Sequence, residues 1–462
     1  MTSLFDVPFD LVIVGGQVLD GTGAPAYEGS VLVEGGRIAA TGAEADARAT
    51  NRPNLRRVDA TGQTVMPGLI DTHCHLAFDD AGSNAEIFHQ RRNGLSALVA
   101  AYNARKLLRA GVTSMVDPDS TFENMTDVRD AIDAGLFEGP RMSCGAYALI
   151  TGVGGTAGRL IRDEGVTGYY MVVNSKDEIV REVRRQIKHG ADWIKVHVTG
   201  IVPRQAHRGE MCVWTLDELK LICDTAHELM TPVMGHCRGA EATRRAAVAG
   251  FDFILHATGM DDAALQAVAD RKIPIVPALT FQANMVDYGD RIGTSPDLIA
   301  MFEREITESA PTLSAAHKAG VPLLTGSESG FALVPYGDWH YREMEVFVKY
   351  FGLSTLEAIE CGTRKSAFGM RMMGEIGAIL PGYKADVICV NGRVEDDLTV
   401  LGEPANITRV MIEGVEKDLS EPAPRKPIPG WRLAQIGGVR LTRALALGRP
   451  AAPAALHVEE LH

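Results

Sequence analysis

Two histidines one residue apart, His73 and His75, close the apolar run VMPGLIDTHCHLA (65–77). In a strand, residues i and i+2 point to the same side, so both imidazoles would project together from the end of this run. Two charged imidazoles on one face repel and gain little from packing. Two neutral ones can hold a metal ion through their ring nitrogens. An H-x-H pair alone is equally well a pair of surface histidines beyond a strand end, so the rest of the chain must decide.

Other residues of the same chemistry lie at the ends of other apolar runs. Lys195 falls in DWIKVHV, His236 ends PVMGHC, His256 lies in FDFILHA and Glu328 in VPLLTGSES. Singly, each has a plain structural role: a snorkelling lysine, a core histidine bonded to backbone, a carboxylate capping the next helix. Together, four histidines, a lysine and a carboxylate on five run ends make a metal-competent set. Directly after Glu328, FALVPYGDWHY (331–341) concentrates Phe331, Tyr336, Trp339 and Tyr341 in a chain that is only 6% aromatic. It reads either as a core-packing loop or as the wall of an apolar pocket. His340 could hydrogen-bond a substrate carbonyl. Arg238, two residues after His236, could bind a substrate carboxylate, although an internal salt bridge suits it better.

The elements that must position these residues follow from the patterning. Eight apolar runs occupy 65–75, 111–118, 141–146, 192–198, 232–237, 251–257, 273–279 and 321–329. Amphipathic stretches lie between most of them. In DEIVREVRRQIKHGA (177–191), Ile179, Val183 and Ile187 share one helical face and the basic residues take the other. Strands alternating with helices predict an α/β chain with a (β/α)8 barrel, whose active site lies at the C-terminal strand ends. The stretches DLVIVGGQVLDGTG and SVLVEGGRIAATG read as short strands broken by Gly-Gly turns, and 374–392 and 407–419 have a similar texture. One small β domain built from both ends is therefore expected. The divisions are 1–65 and 370–420 for that domain, 66–369 for the barrel and 421–462 for a tail without clear pattern.

Bulk properties narrow the class. The 462 residues are 46% hydrophobic and 23% charged, ordinary for a globular protein. A net charge of −13 argues against nucleic acid or an anionic membrane as partner. The seven cysteines are scattered and odd in number, which suggests a reducing cytoplasm. The first residues have no signal-peptide character, and no apolar run reaches 18 residues. A small-molecule substrate and a homo-oligomer are expected.

The order H-x-H, Lys, His, His, acid resembles the amidohydrolase superfamily. RAGVTSMVD, EGPRMSCG, GADWIKVHVTG, GHCRGAEATRRAAVAGFDFILHA and HKAGVPLLTGSESG resemble its imidazolonepropionase-related branch. That branch includes prolidase-like and ochratoxinase-like members and lies near molinate and phenylurea hydrolases. The resemblance implies one or two divalent metals, zinc foremost, with cobalt, manganese or iron as alternatives. It places His73, His75 and Glu328 on one metal and His236 and His256 on the other. Lys195, carbamylated by CO2, would lie between them. Glu328 would carry a proton from an activated water to the leaving nitrogen.

Two departures stand out. The family usually has Asp where this chain has Glu328, and related enzymes often carry a Gly-Gly-His-Gly loop where this chain reads Gly154-Gly155-Thr156-Ala157-Gly158. The expectation is a metal-dependent hydrolase of a C–N bond in an amide, carbamate or urea with an apolar or aromatic body. Hydrolysis of N-acyl amino acids or dipeptides, a one-metal deaminase, and a binding protein that has lost catalysis are the alternatives.

Overall fold

Strands from the two ends of the chain pair with each other. Leu11–Val18, Tyr27–Glu34, Arg37–Thr41, Arg56–Asp59 and Gln63–Pro67 share an eight-stranded sheet with Val387–Asn391, Ile407–Ile412 and Val415–Glu416. The join is an antiparallel ladder in which Val65 faces Cys389. The computed structural model describes residues 10–82, 84–88, 92–121, 123–155, 161–201, 210–424 and 441–449.

The two Gly-Gly pairs of the first sheet differ. Gly35 and Gly36 form a hairpin turn with φ of 55° and 78°, and Glu34 pairs with Arg37 across it. Gly15-Gly16, which reads as the same punctuation, is instead a bulge inside one continuous strand, where the register slips between Ile13 and Gly16. Space explains the glycine: a Cβ on Gly16 would lie 2.5 Å from the Val65 side chain.

The first apolar run splits at Gly68. Gln63–Pro67 belongs to the eight-stranded sheet, and Leu69–Asp71 starts a parallel sheet with Val112–Asp117 and Arg141–Cys144. A second parallel set follows in Ala148–Ile150, Ile194–His197, Val233–Arg238, Phe253–Thr258 and Ile275–Val276. The backbone of Asp192 donates to the Cys144 carbonyl at 2.7 Å and links the two sets. The eighth run forms no regular strand. It bonds its neighbours on both sides, through Ile275 N to Pro322 O and Leu324 N to Ile275 O on one and Thr72 N to Thr325 O on the other, each 2.9 Å. Backbone hydrogen bonds thus connect all eight runs in chain order.

Helices pack between these runs. Lys176–Lys188 buries Ile179 and Val183 as the periodicity predicts, and it also buries Glu182 and Gln186. The Gln186 side-chain N–H donates to the Tyr147 carbonyl and to Glu182, each at 3.0 Å, which ties this buried amide into the packing. Leu216–His227 begins at a reciprocal Thr215–Glu218 capping box. Of the tail, the described residues 441–449 pack back onto the body, with Leu441 fully buried. No helix among the described residues is long and apolar enough to cross a membrane.

Candidate active site

The ends of the parallel runs bring the candidate histidines into an arc. Ring centroids lie 5.0 Å apart for His75 and His73, 5.3 Å for His73 and His256, and 4.5 Å for His256 and His236. A fifth imidazole, His197, continues the arc by stacking on His236 at 4.5 Å, the rings 1° from parallel. His73 and His75 lie just past a strand, at a bend held by backbone hydrogen bonds to both neighbouring runs. Cys74 N donates to the Val116 carbonyl, and His75 N donates to the Ser329 carbonyl. Gly326 gives His73 room, since a Cβ there would lie 2.6 Å from the His73 Cβ. His256 and Glu328 have left-handed backbones, with φ of 70° and 60°. Such strain costs about 1–3 kcal/mol per residue and clusters at functional sites.

Two carboxylates and a lysine complete the ring. Glu328 faces His73 Nε2 at 3.5 Å and His75 Nε2 at 3.9 Å. Asp119 lies beside three groups: His75 Nδ1 at 3.1 Å, Lys195 Nζ at 3.2 Å and His197 Nε2 at 3.0 Å. Lys195 is wholly buried. Burial drives His73, His197 and His256 below the ordinary imidazole range, His197 to about 3. Burial also opposes charge on His75, but Asp119 and Glu328 outweigh it and raise this ring to about 10. For Glu328, burial is overcome by His73 and His75, which hold the carboxyl down at about 2.

The donor set suits a divalent cation. His73 Nδ1, His256 Nδ1 and Glu328 Oε2 are buried without a hydrogen-bond partner. One ligand atom from each of these residues lies within 4.8 Å of the others. A buried polar atom left unpaired costs about 1–3 kcal/mol, and an ion taking nitrogen and oxygen ligands would remove that cost.

A sequence model of the amidohydrolase family matches residues 64–417, which include every residue of the arc. The chain belongs to the amidohydrolase family. It is a hydrolase. The ochratoxinase of Aspergillus niger is 25% identical over 422 residues, covering 86% of this chain and 85% of that protein. A prolidase solved with N-methylphosphonate-L-proline superposes with a TM-score of 0.76 at 26% identity, over 88% of this chain and 99% of the other. Molinate hydrolase shares the fold, with a TM-score of 0.74 at 22% identity over 92% of this chain and 97% of its own.

Within this amidohydrolase, the aromatic segment after Glu328 divides in two. Phe331 borders the site, 6.3 Å from His75 and 5.4 Å from Phe78 between ring centroids. Tyr336 braces it: its hydroxyl donates to the His75 carbonyl and accepts from Asp79 N. Trp339 is core, and its indole N–H donates to the Leu441 carbonyl at 2.9 Å. Both ring nitrogens of His340 are engaged, Nδ1 with Asp71 at 2.7 Å and Nε2 with Gly337 N at 3.0 Å. A substrate bond from His340 would have to displace one of them. Arg238 pairs with Glu305 and approaches Glu210 at 3.8 Å, the internal bridge that its sequence context favours. Thr156, Ala157 and Gly158 of the glycine loop lie outside the described residues.

Asp119, His197, Glu210 and Phe78 were not singled out from sequence. His197 stands two residues after Lys195 in one strand, the same spacing that pairs His73 with His75. Asp119 stands two residues after Asp117, just beyond the second run. Glu210, which holds His236 Nε2 at 3.1 Å, follows no apolar run and leaves no local signal. Phe78 stacks on His75 at 4.3 Å and 3°.

Proposed function

We propose that this amidohydrolase is metal-dependent and cleaves the C–N bond of an amide, carbamate or urea on an apolar or aromatic small molecule. The observation that carries this reading is the cluster of His73, His256 and Glu328, one ligand atom of each within 4.8 Å of the others. In this reading the eight runs form a (β/α)8 barrel, with the two-ended sheet as an accessory β-sandwich. His73, His75 and Glu328 would hold one ion and His236 and His256 the other, with Lys195, as a carbamate, between them. Zinc is the first choice, with cobalt, manganese or iron as alternatives. When bound, the ion supplies Lewis acidity to the carbonyl and to water.

The chain's own groups do the rest. Glu328 takes the proton of the attacking water on its carboxylate, held ionised by His73 and His75, and delivers it to the leaving nitrogen as the C–N bond breaks. Phe78 and Phe331, with Phe281 5.7 Å from Phe331, present an aromatic wall that favours apolar substrates and excludes water. The pairing of Arg238 with Glu305 supports a neutral substrate, because that guanidinium is already committed. N-acyl amino acids or dipeptides, suggested by the prolidase likeness, are the second reading.

Elemental analysis of the purified chain, with and without bicarbonate, tests the metal. A panel of anilides, aryl carbamates, phenylureas and N-acyl amino acids tests the bond. His73→Ala, His236→Ala and His256→Ala should each lose both metal and turnover. A metal-free wild type that still hydrolyses the panel overturns the reading.

A further inference from the structure

Asp119 belongs to no expected ligand set, yet its carboxylate touches more of the site than any other described group. All its partners are buried. Its main-chain carbonyl is the hydrogen-bond partner of His75 Nδ1 at 3.2 Å, and its Oδ1 lies 3.1 Å from the same nitrogen at ion-pair distance. Its Oδ2 lies 3.2 Å from Lys195 Nζ and 3.0 Å from His197 Nε2. An ionised carboxylate only accepts hydrogen bonds, so it draws a proton onto His197 Nε2, while its charge and main-chain carbonyl hold a proton on His75 Nδ1. His75 is left with Nε2 toward Glu328. His197 carries its proton on Nε2 and turns Nδ1 to the Tyr170 hydroxyl at 3.2 Å. The Tyr170 and Tyr169 hydroxyls are 2.8 Å apart, and Tyr169 packs against Phe78, which itself stacks on His75.

We propose that Asp119 is a positioning residue that ties the two histidine sets of the site together. Directly it orients His75. Through His197, whose ring lies flat on His236, it orients the second set. The Tyr170–Tyr169 pair buttresses His197 from behind. This rests on the metal-dependent reading above and adds to it. Carboxylates behind metal-binding imidazoles fix ring tautomer and orientation, and losing one typically weakens metal affinity about 10–100-fold.

Cobalt(II) is the probe, titrated in competition with a chromophoric chelator and followed by its visible absorption bands, on the full chain. Asp119→Asn should weaken cobalt affinity by about 10–100-fold and alter the bands. His197→Phe preserves the stack on His236 but removes the ring's bonds to Asp119 and Tyr170; it should weaken affinity about tenfold. Tyr170→Phe should have the smallest effect of the three. Melting of the metal-free variants is measured alongside, and Asp119→Glu should restore part of the lost affinity. If Asp119 only neutralises Lys195, then Asp119→Asn lowers metal-free stability while His197→Phe binds cobalt as wild type does. That result overturns the proposal. So does cobalt affinity within twofold of wild type in both Asp119→Asn and His197→Phe. A wild type that binds no cobalt refutes the metal-dependent reading instead, before any variant is compared.

Discussion

Glu328 meets His73 twice: its backbone N–H donates to the His73 carbonyl at 2.8 Å, and its carboxylate faces the His73 ring at 3.5 Å. The main-chain link and the left-handed φ of 60° aim the side chain into the arc. Reach is therefore set by the backbone, and a residue longer or shorter by one methylene changes it. If Glu328 carries the proton, Glu328→Gln keeps shape but not proton transfer, and turnover per folded, metal-loaded chain should fall by roughly 10²–10⁴. Glu328→Asp should be milder. A Gln variant within about fivefold of wild type would remove Glu328 from the mechanism.

Lys195 carries a second test. Its Nζ lies 3.2 Å from Asp119 in a wholly buried place. A carbamate there would set two anions side by side, which is costly unless a cation lies between them. Carbamylation should therefore require metal and bicarbonate together. With ¹³C-bicarbonate, a carbamate resonance should appear in the metal-loaded wild type, fade on chelation and be missing from Lys195→Ala. Lys195→Ala should be inactive and partly rescued by short-chain carboxylates. A metal-loaded crystal with a bare Lys195 ammonium would refute the modification.

These residues also show where sequence is informative. The strand period of two put His73 and His75 on one side, and both rings do face Glu328, although the pair lies just past Leu69–Asp71. Applied to the Lys195 strand, the same rule finds His197, and one step past the second run it finds Asp119. Both were within reach of the pattern. The role of the aromatic segment was not. Trp339 bonds Leu441 and Tyr336 bonds His75, partners 102 and 261 residues away, and no local composition separates such core links from a pocket wall. Gly15-Gly16 failed differently: a bulge and a turn use the same residues, and only the neighbouring Val65 decides between them.

Glu343 gives a pH prediction away from the arc. Its carboxyl is fully buried and receives Leu279 N, Thr280 N and the Thr280 hydroxyl, at the start of the Thr280–Tyr288 helix. Burial outweighs these three bonds and pushes the group up to about 8. The unfolded chain loses this proton near the ordinary value of 4.5, so between about pH 5 and 8 the folded state binds more protons. Stability from this group is thus present at low pH and lost as pH rises through 8. Glu343→Gln cannot titrate, so the stability of wild type relative to it should decline steadily over that window in denaturant titrations. A difference that stays flat or grows with pH would show that the three donors keep Glu343 ionised in the fold.

The chain returns to the aromatic segment at residues 441–449. Leu441 N donates to the Ala332 carbonyl at 2.9 Å, next to Phe331 of the aromatic wall, while the Leu441 carbonyl receives the Trp339 indole. Two residues on, Arg443 donates to the Tyr341 hydroxyl at 3.0 Å and the Thr399 carbonyl at 2.9 Å and pairs with Glu403. This short segment thus clamps the loop that follows Glu328 from outside. Leu441→Ala removes a fully buried side chain and should cost about 2–5 kcal/mol of stability. Arg443→Ala leaves Tyr341 and Glu403 without that partner and should loosen the loop with a smaller loss of stability. If the clamp sets the wall, Arg443→Ala should raise KM for apolar substrates more than it lowers kcat, because Glu328, His73 and His75 stay anchored by their own backbone hydrogen bonds. Trp339 emission should shift to the red as its burial loosens. Unchanged KM and emission, with only a lowered melting temperature, would reduce the segment to general stability.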